Sequence, residues 1–241
     1  MERISKNKIK YLRSLRQKKM REQEHCFLIE GEKMVLEVLR EFPSIVKEVY
    51  LEKNTDLNIN FPHIFEINAT ESEQISGFKT PNKCLALISI PIIEPKKQDL
   101  TLVLDQVQDP GNMGTIIRLA DWFGLTKIIA SKDTVDCFNP KVIQASMGSI
   151  FRVQVSYCDI NDYLSNTDLP IYGALLDGEN VYKTGLPQEA ILIMGNEGNG
   201  LSESVQNLVT HKLTIPKFGQ AESLNVSTAT GILLSEFSRH R

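Results

Sequence analysis

Three segments in the second half of the chain carry residue types that can do chemistry at close quarters: Asp109-Pro-Gly-Asn-Met-Gly114, Met194-Gly-Asn-Glu-Gly-Asn-Gly-Leu-Ser202 and Ser223-Leu-Asn-Val-Ser227. In the second, Gly195, Gly198 and Gly200 follow an apolar run and let backbone N–H and C=O groups approach a flat ligand at low steric cost. Their spacing spells neither G-x-G-x-x-G nor a G-K-[ST] ending, so nicotinamide and P-loop phosphate chemistry lose support. A tight strand-to-helix turn with Ser202 as N-cap explains Gly198 and Gly200 equally well, but does not require Glu197. In Asn112-Met-Gly-Thr-Ile-Ile-Arg118 the arginine stands among Ile116, Ile117, Leu119 and Ala120 at the start of an expected helix, placed to serve an anion at the loop edge. A solvated pairing with Asp121 accounts for it too. The third segment follows Ile215-Pro216 and passes into the small residues of Val226–Gly231, which permit close approach of backbone or simply a tightly packed last helix.

Each segment leaves a strand-like run and opens into a helix-like pattern, so all three can share one edge of a sheet, where open α/β sheets bind ligands. The strand runs are Leu100–Val107, Lys127–Ala130, Arg152–Ser156, Ile171–Leu175, Ala190–Met194 and Lys212–Ile215. Helices are expected over Thr115–Phe123, from Asn139-Pro140, from Ser202, and from about Ser227 to the end. This alternation implies an α/β domain over 100–241 with a mainly parallel sheet and helices on both faces. Ahead of it, strands at Cys26–Ile29, Val46–Leu51, Ile64–Ile67 and Leu85–Ile90 and a helix over Gly31–Arg40 read as a small α/β domain within 1–92. The Pro- and charge-rich stretch 93–99 is the expected linker.

Charge is unevenly spread. Residues 1–21 hold nine Lys/Arg against Glu2, leaving a net charge of -11 in the remainder of a chain whose total is -3. Ile4, Ile9, Leu12, Leu15 and Met20 recur at loosely helical spacing there, so a helical arm with a basic outer face is expected. Such an arm suits phosphates, or merely solubility. Four scattered cysteines and four histidines show no zinc spacing and read as free thiols in a reducing compartment. With no apolar window of membrane-spanning length and no signal-peptide core, a cytoplasmic protein is expected.

Asn112 with Arg118, Gly195 with Glu197 and Gly200, then Ile215-Pro216 and Ser223–Ser227, in that order, resemble the three motifs of the SpoU (TrmH-like) family of RNA ribose 2'-O-methyltransferases, within the SPOUT superfamily. Phe27-Leu-Ile-Glu-Gly-Glu-Lys33 looks like the ribosomal-protein-like substrate-binding domain that many members carry. The resemblance implies a C-terminal trefoil knot, a feature that periodicity does not reveal. It also implies S-adenosylmethionine as methyl donor, a homodimer joined through the C-terminal domain, and no metal. On it, Met194, Gly195, Asn196, Gly198, Gly200, Ile215, Pro216, Leu224 and Asn225 look like donor-binding positions. Arg118 looks like the catalytic arginine, and Asn112, Glu197, Ser223 and Asn225 match the other polar motif positions. Lys217–Glu222 is bulkier and more polar than the family pattern.

A guanidinium with a pKa above about 12 makes a poor general base. Arg118 is therefore expected to stabilise the developing 2'-alkoxide and hold an RNA phosphate that takes the proton. The acceptor restricts the substrate to RNA. By analogy a guanosine of large-subunit ribosomal RNA leads, with transfer RNA and a non-catalytic RNA-binding assembly factor as alternatives. An antibiotic-resistance methylase would share every motif.

Overall fold

In the computed structural model, which describes residues 2–53, 55, 57–94 and 96–239, the basic arm is two helices rather than one. Pro95 of the expected linker, and His240 and Arg241 at the end of the expected last helix, lie outside the described residues. The N-terminal helices are α1 (Lys6–Ser14), α2 (Lys18–Glu24), α3 (Glu32–Glu41) and α4 (Ala69–Ile75). Between α1 and α2 the chain turns, and two arginines of the arm face inward. Arg16 donates from Nε to Ile75 O at 3.1 Å and from Nη2 to Gln74 O at 2.8 Å and to Ser76 O, satisfying carbonyls at the end of α4. Arg21, 4% exposed, donates to Leu15 O and Arg16 O at 2.8 Å each and pairs with Asp136. Lys8 pairs with Glu48 at 2.7 Å. The arm is thus partly structural, because carbonyls freed at the break need donors.

The first sheet contains β1 (Glu2–Arg3), β2 (Cys26–Glu30), β3 (Val46–Glu52), β4 (Ile64–Ile67) and β5 (Cys84–Ser89) in the order β1-β4-β3-β5-β2. The pairs of β4 are parallel; β5 runs antiparallel to both its neighbours. Strand alternation splits its side chains between two faces. Tyr50, Leu85 and Leu87 pack with Ile9, Leu12 and Leu15 of the arm, while Phe27, Ile29, Val49 and Ala86 pack with Val35 and Val38 of α3.

The second sheet is wholly parallel, with β6 (Leu100–Leu104), β7 (Lys127–Ser131), β8 (Gln154–Cys158), β9 (Ile171–Asn180), β10 (Ala190–Met194) and β11 (His211–Thr214) in the order β11-β9-β10-β6-β7-β8. Its helices are α5 (Pro110–Trp122), α6 (Pro140–Ser146), α7 (Ile160–Ser165), α8 (Glu203–Gln206) and α9 (Val226–Ser238). Leu102, Leu104, Ile128, Leu192 and Met194 share a cluster with residues of α5, α6 and α9; Val103, Ile129, Ile191 and Ile193 share another with α7 and α8. Helices therefore cover both faces, as the continuous apolar runs of the strands require. Gly114 lets α6 close on α5: a Cβ there would lie 2.5 Å from Ala145 Cβ and 2.6 Å from Val142 O.

The two sheets share one apolar core. The Phe27 ring lies 4.8 Å from Phe138 and 6.2 Å from Phe151, and Phe42 lies 5.8 Å from Phe151, centroid to centroid. Around it, Arg152 donates to Glu37 at 2.9 Å and Glu41 at 3.3 Å on α3, and from Nε to Asp121 on α5 at 2.9 Å. The segment 91–99 connects two bodies that are already packed together.

Candidate functional site

Because β11, β9, β10 and β6 are adjacent and parallel, the chain leaves them along one edge, and the three motif segments meet there. The first is not a loop ahead of a helix at Thr115; it is the first turn of α5. Asp109 is its N-cap, its Oδ1 accepting from Asn112 N at 2.8 Å, with Pro110 in the first turn. The Asx-Pro pair that opens α6 at Asn139-Pro140 thus opens α5 at Asp109-Pro110 as well, five residues before the start expected from periodicity. Arg118 consequently sits in the third turn rather than at the helix start. Six residues place it about 9 Å along the axis and roughly 120° around from Asn112.

Polar side chains from all three segments form one hydrogen-bonded chain. Glu197 accepts from Asn112 Nδ2 and Asp109 N at 3.1 Å each and from Gln108 N at 3.3 Å. Asn225 Nδ2 donates to Asn112 Oδ1 at 2.8 Å, while its Oδ1 accepts from Ser227 N at 2.9 Å and Thr228 N at 3.3 Å, capping α9. Partial burial works to raise the Glu197 pKa, but the hydrogen bonds from Asn112 and from backbone amides outweigh it and hold the carboxylate below its ordinary range.

The glycine segment is a hairpin closed on itself. Asn196 N donates to Gly200 O at 2.8 Å and Gly200 N to Asn196 O at 3.0 Å; Asn196 Oδ1 accepts from Gly198 N and Asn199 N, and its Nδ2 donates to Gln106 O. Gly195 is buried beneath it, where a Cβ would lie 2.5 Å from both Gly200 O and Leu201 N. Glycine is needed for that contact rather than for a special φ.

Between this hairpin and the loop after β11 lies an open cavity of about 620 Å³. Met194, Gly195, Asn196, Gly198, Gly200, Ile215, Pro216 and Leu224 all line it, as do Glu197 and Ser223. One wall has no chemical signature in the sequence: Ala174, Leu175 and Leu176 of β9 with Leu213 of β11. These are plain apolar strand residues, and only the position of β9 between β11 and β10 brings them to the site.

Asn112, Arg118 and Asn225 are not among the lining residues. Asn112 and Asn225 stand behind the cavity in the network just described. Arg118 is exposed on a different concavity, a cleft between α3 and α5. It is not paired with Asp121, whose carboxylate accepts instead from Arg152 Nε and from Ser149 Oγ at 2.7 Å. An exposed guanidinium in a cleft and an apolar cavity floored by backbone can serve, respectively, an anionic polymer and a small flat ligand.

Residues 99–235 match the SpoU rRNA Methylase family, and residues 6–86 match the MRM3-like substrate binding domain. The 23S rRNA (guanosine(2553)-2'-O)-methyltransferase RlmP of Bacillus subtilis is 33% identical over 243 residues, covering 97% of each chain. A putative RNA methyltransferase of the TrmH family from Porphyromonas gingivalis superposes with a TM-score of 0.84 at 40% identity over 99% of both chains. An AdoMet-bound rRNA methyltransferase from Sinorhizobium meliloti does so with 0.83 at 27% identity, covering 100% of this chain and 97% of its own.

Proposed function

The chain belongs to the SpoU rRNA methylase family, and from that membership we propose that it methylates the ribose 2'-hydroxyl of a guanosine in large-subunit ribosomal RNA. It is an RNA methyltransferase, and its methyl donor is S-adenosylmethionine. The observation that carries the reading is the convergence of all three motif segments on one sheet edge, with Glu197, Asn112 and Asn225 hydrogen-bonded in series behind the cavity. The choice of a ribosomal guanosine is supported by full-length similarity to RlmP.

The cavity suits the donor. The hairpin over Gly195 presents backbone at its floor, where any side chain would collide, and Leu175, Leu176 and Ile215 supply apolar walls. Bound there, S-adenosylmethionine supplies an electrophilic methyl group. Met194, Gly195, Ile215 and Leu224 hold and orient it, while Glu197 and Asn225 keep the loops in register. Arg118, permanently charged, stabilises the 2'-alkoxide and holds an adjacent phosphate that accepts the proton. Alignment supplies much of the acceleration.

A homodimer joined through the C-terminal domain completes the reading. Leu176, Phe218 and Leu224 are 79%, 94% and 49% exposed at the cavity rim, which supports a partner surface there. Arg118 and the cavity are apart within one chain, and pairing two copies is an arrangement that would join them. The trefoil knot is assigned to the segment between β10 and α9; the return of the chain after β11, which packs α9 on α5, supports it. A cytoplasmic location is part of the proposal, and among the described residues no helix is long and apolar enough to cross a membrane.

The test is transfer of labelled methyl from S-adenosylmethionine to total RNA from a strain lacking the protein, beside an Arg118→Ala control, followed by mapping of ribose methylation. Label at one guanosine of large-subunit RNA, lost in the control, is the expected result. A transfer RNA site would replace the substrate, and no label despite intact donor binding would favour a non-catalytic RNA-binding protein.

A further inference from the structure

The cleft that holds Arg118 has a volume of about 1430 Å³ and takes its walls from both domains. That exceeds the roughly 300–1,000 Å³ of small-molecule sites and suits a polymer. Lys33 of α3 and Lys83 beside β5 line it with Arg118, all three exposed, and none of the three has an ion-pair partner among the described residues. Of the lining acids, Glu37 and Asp121 face Arg152, and Glu30 accepts from Ser76 Oγ and Gly77 N, leaving Glu32. Over the whole lining the five cations Lys33, Arg40, Lys83, Arg118 and Arg152 exceed the four carboxylates by one, so the cleft is slightly positive and three of its cations are without an ion-pair partner among the described residues.

On the same wall stands Trp122, the only tryptophan of the chain, 82% exposed at the end of α5. It follows Arg118 by four residues and so shares its helix face one turn further on. An exposed indole and an arginine occur in protein-protein contacts as well, but two lysines without ion-pair partners lining the same cleft do not fit the centre of one, which is depleted in lysine. It matches a platform on which an unpaired base stacks while neighbouring cations hold the phosphates.

Resting on the RNA reading above, we propose that Trp122 stacks on a splayed base of the substrate RNA next to the nucleotide presented to Arg118, with Lys33 and Lys83 gripping the adjoining phosphates. The platform fixes which ribose faces the arginine, so Trp122 is a residue of substrate recognition.

The single tryptophan makes the test direct. The full-length protein is titrated with a purine-rich single-stranded oligoribonucleotide of about 12 nucleotides, and separately with an abasic strand of the same length. Tryptophan emission and the anisotropy of a label on the strand are read together. Emission is expected to be quenched by the base-bearing strand and not by the abasic one. Trp122→Ala should weaken the base-bearing strand roughly 5- to 150-fold, the range of one stacked base, and leave the abasic strand unchanged, while Trp122→Phe keeps most of the affinity. Lys33→Ala with Lys83→Ala should flatten the salt dependence of log K by about 1.4, two single-strand phosphate contacts.

Binding without quenching overturns the proposal, as does failure of either strand to bind. Emission that shifts with protein concentration before RNA is added, with loss of the dimer in Trp122→Ala, would assign the indole to a second copy instead. The outcomes separate from those of the enzyme reading. Methyl transfer to total RNA without quenching removes the platform alone, whereas quenching without methyl transfer removes the enzyme and leaves the platform.

Discussion

Asn225 at the cap of α9 donates to Asn112 in the first turn of α5 across 2.8 Å, joining positions 113 residues apart, and Asn112 passes the connection on to Glu197. Three segments are thereby tied by amide and carboxylate groups in a fixed order of donor and acceptor. The order explains why each residue type is required: an amide in the middle can both give and accept, and a carboxylate cannot.

Asn112→Asp is accordingly expected to be worse than Asn112→Ala, because it sets a second carboxylate against Glu197 and removes the donor between them. Each alanine variant at 112 or 225 should lower unfolding free energy by about 1 kcal/mol. The double variant should fall short of the sum by at least about 0.5 kcal/mol. Urea denaturation of the four proteins of the cycle gives the answer, and strict additivity would show the two residues to be independent.

Gly195→Ala places a methyl group against the carbonyl of Gly200, so the hairpin must shift. Donor affinity measured by calorimetry should drop at least about tenfold, the equivalent of about 1.4 kcal/mol within the usual range for overpacking. Gly185→Ala is the matched control, since nothing lies within 4 Å of its added Cβ. Equal donor affinity in both variants would remove Gly195 from the site.

The Glu197 carboxylate is held below its ordinary pKa, so it binds a proton less readily folded than unfolded. Its contribution to stability is complete above the ordinary glutamate value and is lost as pH falls through the lowered one. Thermal unfolding followed from about pH 6 down to about pH 3 should show a shallower acid decline in Glu197→Gln than in the natural protein. Parallel curves would mean that the hydrogen bonds to this carboxylate have no energetic weight.

Arg152 meets carboxylates of both domains, and it is about one-third exposed. Arg152→Ala leaves Glu37, Glu41 and Asp121 without their cation, at an expected cost of about 2 kcal/mol after allowance for solvent screening. The shared phenylalanine core should still make the two domains melt as one unit. Calorimetric and van't Hoff enthalpies that disagree by a large factor would show that they unfold separately.

Arg118→Ala should leave S-adenosylmethionine affinity within about twofold, since Arg118 lines no part of its own chain's cavity and its proposed contacts are with the ribose and a phosphate, yet reduce methyl transfer by about 100-fold or more, as loss of a transition-state charge does. Arg118→Lys keeps the charge and loses the planar fork. Single-turnover rates for the three proteins check this, and full activity of the lysine variant would dismiss bidentate contact.

Much of the cavity between the glycine hairpin and the loop after β11 is legible because glycine, Ile-Pro and capping residues have local requirements that the chain itself states. Gly195 announces a close approach whatever surrounds it. Leu175 and Leu176 announce nothing: as alternating strand residues they are core in most contexts, and only the strand order turns them into a wall of the site. The start of α5 is written locally in Asp109-Pro110, a capping residue followed by proline. Arg16 and Arg21 look like any solvated arginines in sequence, since the carbonyls they satisfy belong to other segments. The pairing of Asp121 with Arg152 rather than Arg118 is likewise a tertiary choice between two cations of equal charge.

The phenylalanine core that fuses the two sheets gives the molecule the character of a caliper with its jaws set. The same core sets the distance between α3 and α5 across the cleft, so a change at Phe27, Phe138 or Phe151, none of which lines the cleft, would reset its width from behind.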